Sequence, residues 1–285
     1  MKTVHELIFG DAYRVLQGFD NNTVHLVVTS PPYWNARDYE HPDQIGYRDD
    51  LITFFNRLQL VWKEVIRILC NDGKLAVNIG NIFFKSCEGE RVETINLSLL
   101  LWSQLNNYPN LDYMGTIYWK KSVSRNSAVL FGSYPYPSNF MISTALEPIH
   151  VFRKKGKRKV SKSIKEKSKI SLREFRIYRE PVWTINGTSH KLHPAIFPLE
   201  IPYRLIKLYS FVSDTVLDPF CGLANTNLAA IRLKRSSIGI DINSSYVKYA
   251  YELLKRESNG NPNTNILFNK SVDKYESEKK SSLPR

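Results

Sequence analysis

The stretch TVLDPFCGLANTNLAAIRLKRSSIGID, Thr215–Asp241, decides the fold of this chain. It predicts a short strand, a tight turn, a helix over Thr226–Leu233 and a second strand over Ser237–Ile240. Strands and helices that alternate in this way form parallel βα units, whose strands end at one shared edge. Asp218 and Asp241 each follow a strand, so we expect both carboxylates at that edge.

The spacing of these two acids indicates a ligand. Asp241 lies 23 residues after Asp218, close to the ~20 at which the second-strand acid of a nucleotide-binding unit reaches ribose hydroxyls. A dinucleotide needs three glycines to admit its pyrophosphate, but only Gly222 is present and Ala224 takes the second glycine position. The pattern therefore favours S-adenosylmethionine, an adenosine without phosphate, although an ordinary turn followed by an aspartate gives the same pattern.

A second motif, Thr29–Trp34, follows a predicted strand over Val24–Val28. Its two prolines lack N–H groups, so the carbonyls of Ser30 and Pro31 have fewer local donors. With the Ser30 hydroxyl they can hold a ring-bound amine and turn its lone pair outward, while Tyr33 can stack on a base. A plain Pro-Pro kink beside an aromatic core residue is the alternative.

The composition describes a compact globular chain. Of its 285 residues 42% are hydrophobic and 24% charged, which excludes disordered, collagen-like and coiled-coil proteins. No apolar run approaches the ~20 residues of a membrane span, and Met1–Gly10 lacks the apolar core of a signal peptide, so we expect a cytoplasmic protein. Cys70, Cys87 and Cys221 are widely spaced, which predicts reduced thiols and no metal site.

The net charge of +13 favours a polyanionic partner, above all a nucleic acid. Eleven basic residues and one acid lie between Arg153 and Arg173. This segment lacks sustained apolar periodicity up to Lys169, which predicts a mobile arm or a loop that orders on a partner; a merely solvated loop is the alternative. The residues predicted to bind DNA are Lys154, Lys155, Lys157, Arg158 and Lys159.

Taken together, the chain resembles the DNA amino-methyltransferases, which methylate the exocyclic amine of cytosine or adenine with S-adenosylmethionine. The stretches that carry the resemblance are Gly10–Ala12, Thr29–Trp34, Trp62–Gly80, Glu147–Lys154, His193–Pro198, Asp218–Thr226 and Gly239–Ile242. The catalytic motif precedes the cofactor turn, as in the permuted order called the beta class. The resemblance implies an α/β, Rossmann-like, doubly wound sheet with a small target-recognition insertion.

The resemblance also implies roles for single residues. The catalytic residues that would hold a flipped base are Ser30, Pro31, Pro32 and Tyr33. The cofactor-binding residues would be Asp11, Thr29, His193, Pro194, Asp218, Pro219, Phe220, Gly222 and Asp241. Serine before Pro-Pro-Tyr is typical of members that make N4-methylcytosine, whereas Asp or Asn is typical of adenine enzymes. Ala224 stands where the family usually has glycine, and its methyl group favours a negative φ.

A covalent mechanism is not expected. Methylation at ring carbon C5 would need a cysteine after a proline, and Cys221 lacks that setting, so we expect it to pack. The expected partners are double-stranded DNA and, by resemblance, a cognate restriction endonuclease. Three alternatives remain open: an adenine-N6 enzyme, an RNA methyltransferase, and a catalytically idle DNA-binding protein with this fold.

The chain divides into four predicted regions. Residues 1–120 form the catalytic half, 121–192 a basic, loop-rich recognition region, 193–257 the cofactor half, and 258–285 a loose polar tail. Apolar spacing predicts a helix over Asp50–Cys70, and Arg91–Leu105 is also predicted to be helical.

Overall fold

The computed structural model describes residues 2–39, 41–84, 92–121, 137, 142, 145–190 and 192–270. The strands are β1 (Thr3–Phe9), β2 (Val24–Thr29), β3 (Leu69–Asn78), β4 (Ile82–Phe84), β5 (Glu93–Ile95), β6 (Leu111–Lys121), β7 (Leu146–Lys154), β8 (Val182–Ile185), β9 (Thr188–His190), β10 (His193–Ile196), β11 (Thr215–Asp218), β12 (Ser236–Asp241) and β13 (Thr264–Lys270). The helices are α1 (Ala12–Gln17), α2 (Leu51–Ile68), α3 (Leu97–Asn106), α4 (Lys162–Lys167), α5 (Leu172–Tyr178), α6 (Glu200–Tyr209), α7 (Asn225–Arg232) and α8 (Ser244–Ser258).

Nine of the described strands form one sheet in the order β13-β1-β12-β11-β2-β3-β7-β6-β8. The strands from β13 to β3 are parallel, and β7 is reversed between β3 and β6. In the register Leu26 pairs with Val216 and Val27 with Leu217. The predicted catalytic motif at the end of β2 and the predicted cofactor turn after β11 are therefore neighbours, although about 190 residues separate them in the sequence.

Helices cover both faces of this sheet, which confirms the predicted doubly wound α/β fold. Val27 on β2 faces α1, α2 and α3, whereas Leu26 and Val28 face α6 and α7. A strand covered on both faces is apolar at successive positions, which is why Leu26, Val27 and Val28 follow one another in β2. None of the described helices has the length and apolar character needed to cross a membrane.

The sequence predicts the start of one helix correctly and the start of another wrongly. Asp50 caps α2 and accepts a hydrogen bond from the Thr53 amide, as the sequence around Asp50–Cys70 predicts. The prediction over Arg91–Leu105 is wrong at its start, because Glu93–Ile95 forms β5 and pairs with β4. The helix α3 begins only at Leu97, after its cap Asn96.

The segment after residue 258 is also more ordered than predicted. Thr264–Lys270 forms β13 and pairs in parallel with β1, where Ile266 lies beside His5. Ile266 packs against the core cluster under α8. The prediction of a loose tail is therefore wrong for these residues, and residues 271–285 lie outside the described part of the chain.

The basic segment is a folded part of the molecule rather than an arm. Lys154 ends β7, and its Nζ donates to the Ile66 and Leu69 carbonyls at 2.8 and 2.6 Å, where α2 ends. Arg158 donates through both terminal nitrogens to the Asp214 carboxylate at 2.8 and 2.6 Å. The helices α4 and α5 follow, so the expectation of a mobile arm or a partner-ordered loop is wrong here.

Candidate active site

A cavity of about 500 Å³ opens where the parallel strands end. Its wall includes the Ser30–Tyr33 segment after β2, the Asp218–Gly222 turn after β11, Asp241 after β12 and Asn78 at the end of β3. The two motifs predicted from the sequence therefore meet in one site. They meet because parallel strands that lie side by side place their carboxyl ends at the same edge.

Asp218 joins the two halves of the site. Its carboxylate accepts hydrogen bonds from the Thr29 and Thr226 hydroxyls, both at 2.7 Å, and from the Phe220 amide at 3.1 Å. Burial raises the pKa of Asp218 to about 6, and these hydrogen bonds oppose the rise. Thr29 is buried behind this carboxylate, so it supports the cofactor turn from beneath.

Asp241 stands at the end of the next strand and lines the cavity. It accepts the Gly222 amide at 2.9 Å and the Asn243 amide at 2.8 Å, and burial raises its pKa to about 6. Asn243 also donates through Nδ2 to the Tyr39 carbonyl at 3.0 Å. The segment after the catalytic motif is therefore tied to the strand end that carries Asp241.

Ala224 takes up the left-handed conformation, with φ 62°. The expectation of a negative φ is wrong, because the turn closes through a 2.7 Å hydrogen bond from the Ala224 amide to the Cys221 carbonyl and then enters α7. The residue is fully buried with Leu228 and Val247 in the cluster between α7 and α8. Burial of the methyl group opposes the cost of about 1–2 kcal/mol that an L-residue incurs at this φ.

A polar network lies on the other side of the cavity. The Ser30 hydroxyl donates to Asn78 Oδ1 at 3.4 Å, and the Asn78 amide nitrogen donates to the Pro148 carbonyl at 3.1 Å. The Tyr33 hydroxyl donates to Glu147 Oε2 at 3.1 Å and lies 3.4 Å from Asn78 Oδ1. Burial, and next the Glu147 carboxylate, raise the pKa of Tyr33 well above its ordinary value, so this hydroxyl stays protonated.

Sequence reasoning assigned no role to several members of this wall, among them Asn78, Glu147 and Lys121. Asn78 ends a strand, so the rule that found Asp241 could also have found it. Glu147 is the second residue of β7 and forms an ion pair with Lys121 at the end of β6. The resemblance includes Glu147 in the stretch Glu147–Lys154 but gives it no role, because only the reversed direction of β7 brings its first residues to this edge.

The remaining cofactor-binding predictions fall in different places. Asp11 lines the cavity and caps α1 by accepting the Arg14 amide at 3.0 Å. Pro219 and Phe220 also line the cavity. The backbone of His193 and Pro194 belongs to β10, but their side chains lie outside the described part of the structure.

The five residues predicted to bind DNA are not brought to the cavity. Arg153 pairs with Lys74, four residues before Asn78 on β3, and the chain then runs away from the site. Lys154 and Arg158 are engaged in the internal contacts with α2 and Asp214 described above. The segment Lys154–Lys159 therefore lies at the edge of the sheet where the parallel strands begin.

Cys221 lines the cavity, but its chemistry is that of a packing residue. It is 6% exposed and belongs to the cluster under α7 and α8. Burial, with Asp241 and Asp218 nearby, raises the pKa of its thiol well above the ordinary value. A protonated thiol is a poor nucleophile, which agrees with the sequence expectation.

Comparison with known proteins agrees with this geometry. The DNA methylase family matches residues 24–252 of the chain. The Type II methyltransferase M.MjaI of Methanocaldococcus jannaschii is 34% identical in an alignment of 274 positions that covers 85% of this chain and 88% of the relative. M.Cfr9I of Citrobacter freundii, also a Type II methyltransferase, is 29% identical over 92% of this chain and 89% of its own length.

Solved structures share the fold. TTHA0409 from Thermus thermophilus, complexed with S-adenosyl-L-methionine, superimposes with a TM-score of 0.76 at 31% identity, over 94% of this chain and 99% of that one. The cytosine-N4-specific PvuII DNA methyltransferase has a TM-score of 0.68 at 19% identity, over 94% and 96% of the two chains. The predicted family resemblance and fold class are thus confirmed.

Proposed function

Because the chain belongs to the DNA methylase family and is an S-adenosylmethionine-dependent DNA methyltransferase, we propose that it methylates the exocyclic N4 amine of a cytosine flipped out of duplex DNA. The observation that carries the proposal is the network in which Asn78 holds the Ser30 hydroxyl beside the ring of Tyr33. The serine before Pro-Pro-Tyr favours cytosine over adenine. An adenine-N6 activity at the same site is the second candidate, since both bases present an amine beside a ring nitrogen.

The cavity wall fits the cofactor. When bound, S-adenosylmethionine supplies an electrophilic methyl group on a cationic sulfur. Two backbone amides fix the Asp241 carboxylate, which keeps lone pairs that can accept hydrogen bonds from ribose hydroxyls. Phe220 offers an apolar surface beside it. The Oδ1 atom of Asn81, on the same wall, is buried and has no hydrogen-bond partner among the described residues. Such an atom is satisfied when a ligand brings a donor.

The catalytic motif would act by positioning. The Ser30 hydroxyl gives its proton to Asn78, so the lone pairs of Oγ remain available to accept an amine N–H. Tyr33 cannot turn freely, because its hydroxyl is held by Glu147, and its ring is a fixed surface for stacking. An amine held through its N–H bonds presents its lone pair in one direction, which is most of what direct transfer requires.

The protonated Cys221 thiol supports direct transfer without a covalent intermediate between base and protein. The other cysteine that the structure describes, Cys70, is half-buried and is absent from the cavity wall. Its pKa is also raised by burial. Neither thiol is therefore prepared to attack the ring of a base.

Analysis of the product nucleosides tests the proposal. Purified protein is incubated with unmethylated genomic DNA and S-adenosylmethionine, and the DNA is digested and analysed by mass spectrometry. N4-Methyldeoxycytidine is the expected product. N6-Methyldeoxyadenosine would overturn the base assignment, and the absence of any methylated nucleoside would contradict the activity itself.

A pair of variants tests the role of the serine. Ser30→Ala should lower turnover much more than DNA affinity, because it removes the amine acceptor and no phosphate contact. Ser103→Ala on the exposed surface of α3 is the matched control and should leave both unchanged. Equal loss of turnover and affinity in Ser30→Ala would count against its assigned role.

We also propose that the methylation protects DNA from a cognate restriction endonuclease. The support is that M.MjaI and M.Cfr9I are Type II methyltransferases. DNA modified by the purified protein should resist that nuclease, whereas unmodified DNA should be cut. Cleavage of both samples would contradict this role.

A further inference from the structure

A group of exposed cations remains unused by the site. These are Lys157, Lys159, Lys162, Lys165 and Lys167, which we call the basic ridge. None of them forms an ion pair with another residue in the described ranges, and two of the nearby acids are already occupied. Glu166 pairs with Lys169, and Glu174 pairs with Lys207.

The basic ridge is held in place by its inward-facing neighbours. Lys154 binds the carbonyls at the end of α2, and Arg158 forms a two-point contact with Asp214 just before β11. The Ser168 hydroxyl oxygen, at the end of α4, accepts the Val212 amide at 2.8 Å. These contacts fix a short helix with positive charge against the beginning of the parallel strands, so the charge is presented at one place rather than on a flexible arm.

This place is far from the cavity. Lys74, which pairs with Arg153, is four residues from Asn78, about 13 Å along β3 at the usual rise per residue. The chain continues outward from Arg153, so the basic ridge lies beyond that distance on the opposite edge of the sheet. The cavity and the basic ridge therefore lie at opposite edges of the sheet, one where the parallel strands end and one where they begin.

We propose that the basic ridge is a second DNA-binding surface, which holds a duplex segment other than the one that presents its base to the cavity. Duplex DNA carries one negative charge per ~1.7 Å of axis, and lysines release its counterions without reading its sequence. With one segment at each edge of the sheet, the protein passes from one segment to the other without first entering solution. The proposal rests on DNA being the substrate, and it is independent of which base is methylated.

Release of a labelled duplex tests the proposal. The full chain is bound to a fluorescein-labelled duplex of random sequence and mixed with increasing amounts of the same duplex without label. With two surfaces, the competitor binds before the labelled duplex leaves, so the release rate rises with competitor concentration. The triple variant Lys162→Gln, Lys165→Gln, Lys167→Gln should lose this rise.

Two control variants test whether the effect depends on the charge of α4 rather than on the loss of any three lysines. Lys63→Gln, Lys248→Gln, Lys255→Gln removes three exposed lysines of α2 and α8 and should keep the rise. Replacing the three lysines of α4 by arginine keeps their charge and should also keep it. The proposal is overturned if the natural chain releases DNA at a rate independent of competitor, or if the glutamine variant of α4 retains the dependence. The nucleoside analysis of the product is a separate measurement. A failure of the proposed base assignment therefore does not change how the release rates are interpreted.

Discussion

At the scale of the residue, the site depends on buried polar groups whose partners come from distant parts of the sequence. Asp218 takes its donors from two threonines that are about 200 positions apart, and Tyr33 meets Glu147 across more than 100. Sequence reasoning found Asp218 and Asp241, because the strand-end rule applies to each of them separately, and the same rule applied to β3 would have found Asn78. It missed Glu147, since a contact made by a reversed strand depends on the order of strands in the sheet.

Glu147 should act on turnover through the position of Tyr33. Glu147→Ala removes the hydrogen-bond acceptor of the Tyr33 hydroxyl, and the loss of a bond to a charged group should lower kcat about 10- to 100-fold. The Kd for S-adenosylmethionine should change little, since Asp241 on the other side of the cavity is untouched. Single-turnover methylation and calorimetric binding measure the two quantities.

Two further variants test whether Glu147 acts through Tyr33. Glu147→Gln keeps an oxygen that can accept the Tyr33 hydroxyl and should recover part of the rate. Glu252→Ala, on the exposed surface of α8, should behave like the natural chain. A loss of cofactor affinity as large as the loss of rate would show that Glu147 does not act through Tyr33.

Cofactor binding should weaken in mild acid. Burial raises the pKa of Asp241 to about 6, so its ionised fraction falls as the pH drops below neutrality. If the ionised form accepts the ribose hydroxyls, the apparent Kd at pH 5.5 should be about four times that at pH 7.5 from this acid alone. Titration calorimetry at the two pH values gives the ratio. Asp241→Asn should bind more weakly at pH 7.5 and show a smaller ratio; an unchanged ratio would contradict the assignment.

At the scale of the element, helices with a clear apolar period and a cap could be predicted closely, and sheet edges could not. The residues of α2 carry both signals, and Asp50 marks its start. The strand β13 is polar at most positions and gives no such signal, because an edge strand is stabilised largely by backbone pairing, here with β1. The predicted start of α3 is wrong because β5 forms by pairing with β4, and the local sequence does not reveal that pairing.

The end of α7 offers a prediction at this scale. Lys234 is exposed with φ 59°, its amide donates to the Ile231 carbonyl, and the Arg235 amide donates to the Ala230 carbonyl. This is the Schellman arrangement, in which glycine is the preferred residue at the left-handed position. Lys234→Gly should therefore raise the free energy of unfolding by about 0.5–1 kcal/mol. Urea denaturation measures it.

A second glycine variant separates this effect from a general one. Lys255→Gly, inside α8, should lower the free energy of unfolding by about 1 kcal/mol, because glycine there adds freedom to the unfolded chain without relieving strain. If both variants lower stability, the conformation at Lys234 is not strained.

At the scale of the whole molecule, the motif after β2 and the turn after β11 lie side by side in one sheet and share the Asp218 carboxylate. The adjacency of β2 and β11 could not be read from the sequence, because each strand is only a short apolar run. The prediction of a mobile arm or a partner-ordered loop for the basic segment is wrong for a related reason. Its two inward cations meet partners on α2 and before β11, and a composition argument counts them as exposed charge.

The hydrogen bond from Thr226 should stabilise the molecule in a pH-dependent way. It lowers the pKa of Asp218, so its loss in Thr226→Val raises that pKa further above about 6. The lost stability is therefore fully present above the raised pKa of the variant and declines as the pH falls from there through about 6. We expect Thr226→Val to cost about 1–3 kcal/mol at pH 7.5 and clearly less at pH 5.

Urea denaturation of the cofactor-free protein at the two pH values measures this difference. Thr116→Val is a matched control, because its hydroxyl contacts His150 rather than a carboxylate, at 2.8 Å. Burial lowers the pKa of His150 to about 4, so this histidine stays neutral in the fold at both pH values. If the free energy of unfolding lost in Thr226→Val does not change with pH, the hydrogen bond to Asp218 is not the cause of the loss.

The reversed strand β7 has an evolutionary consequence. Lys121 ends β6 and Glu147 lies near the start of β7, and both side chains are on the cavity wall. Both ends of the connection between these strands therefore lie at the cavity. The β6 to β7 ladder, with Ile117 beside Ile149, pairs the two strands along their length. We therefore expect that the sequence between Lys121 and Glu147 can change during evolution while the paired strands go on holding these two side chains at the cavity wall.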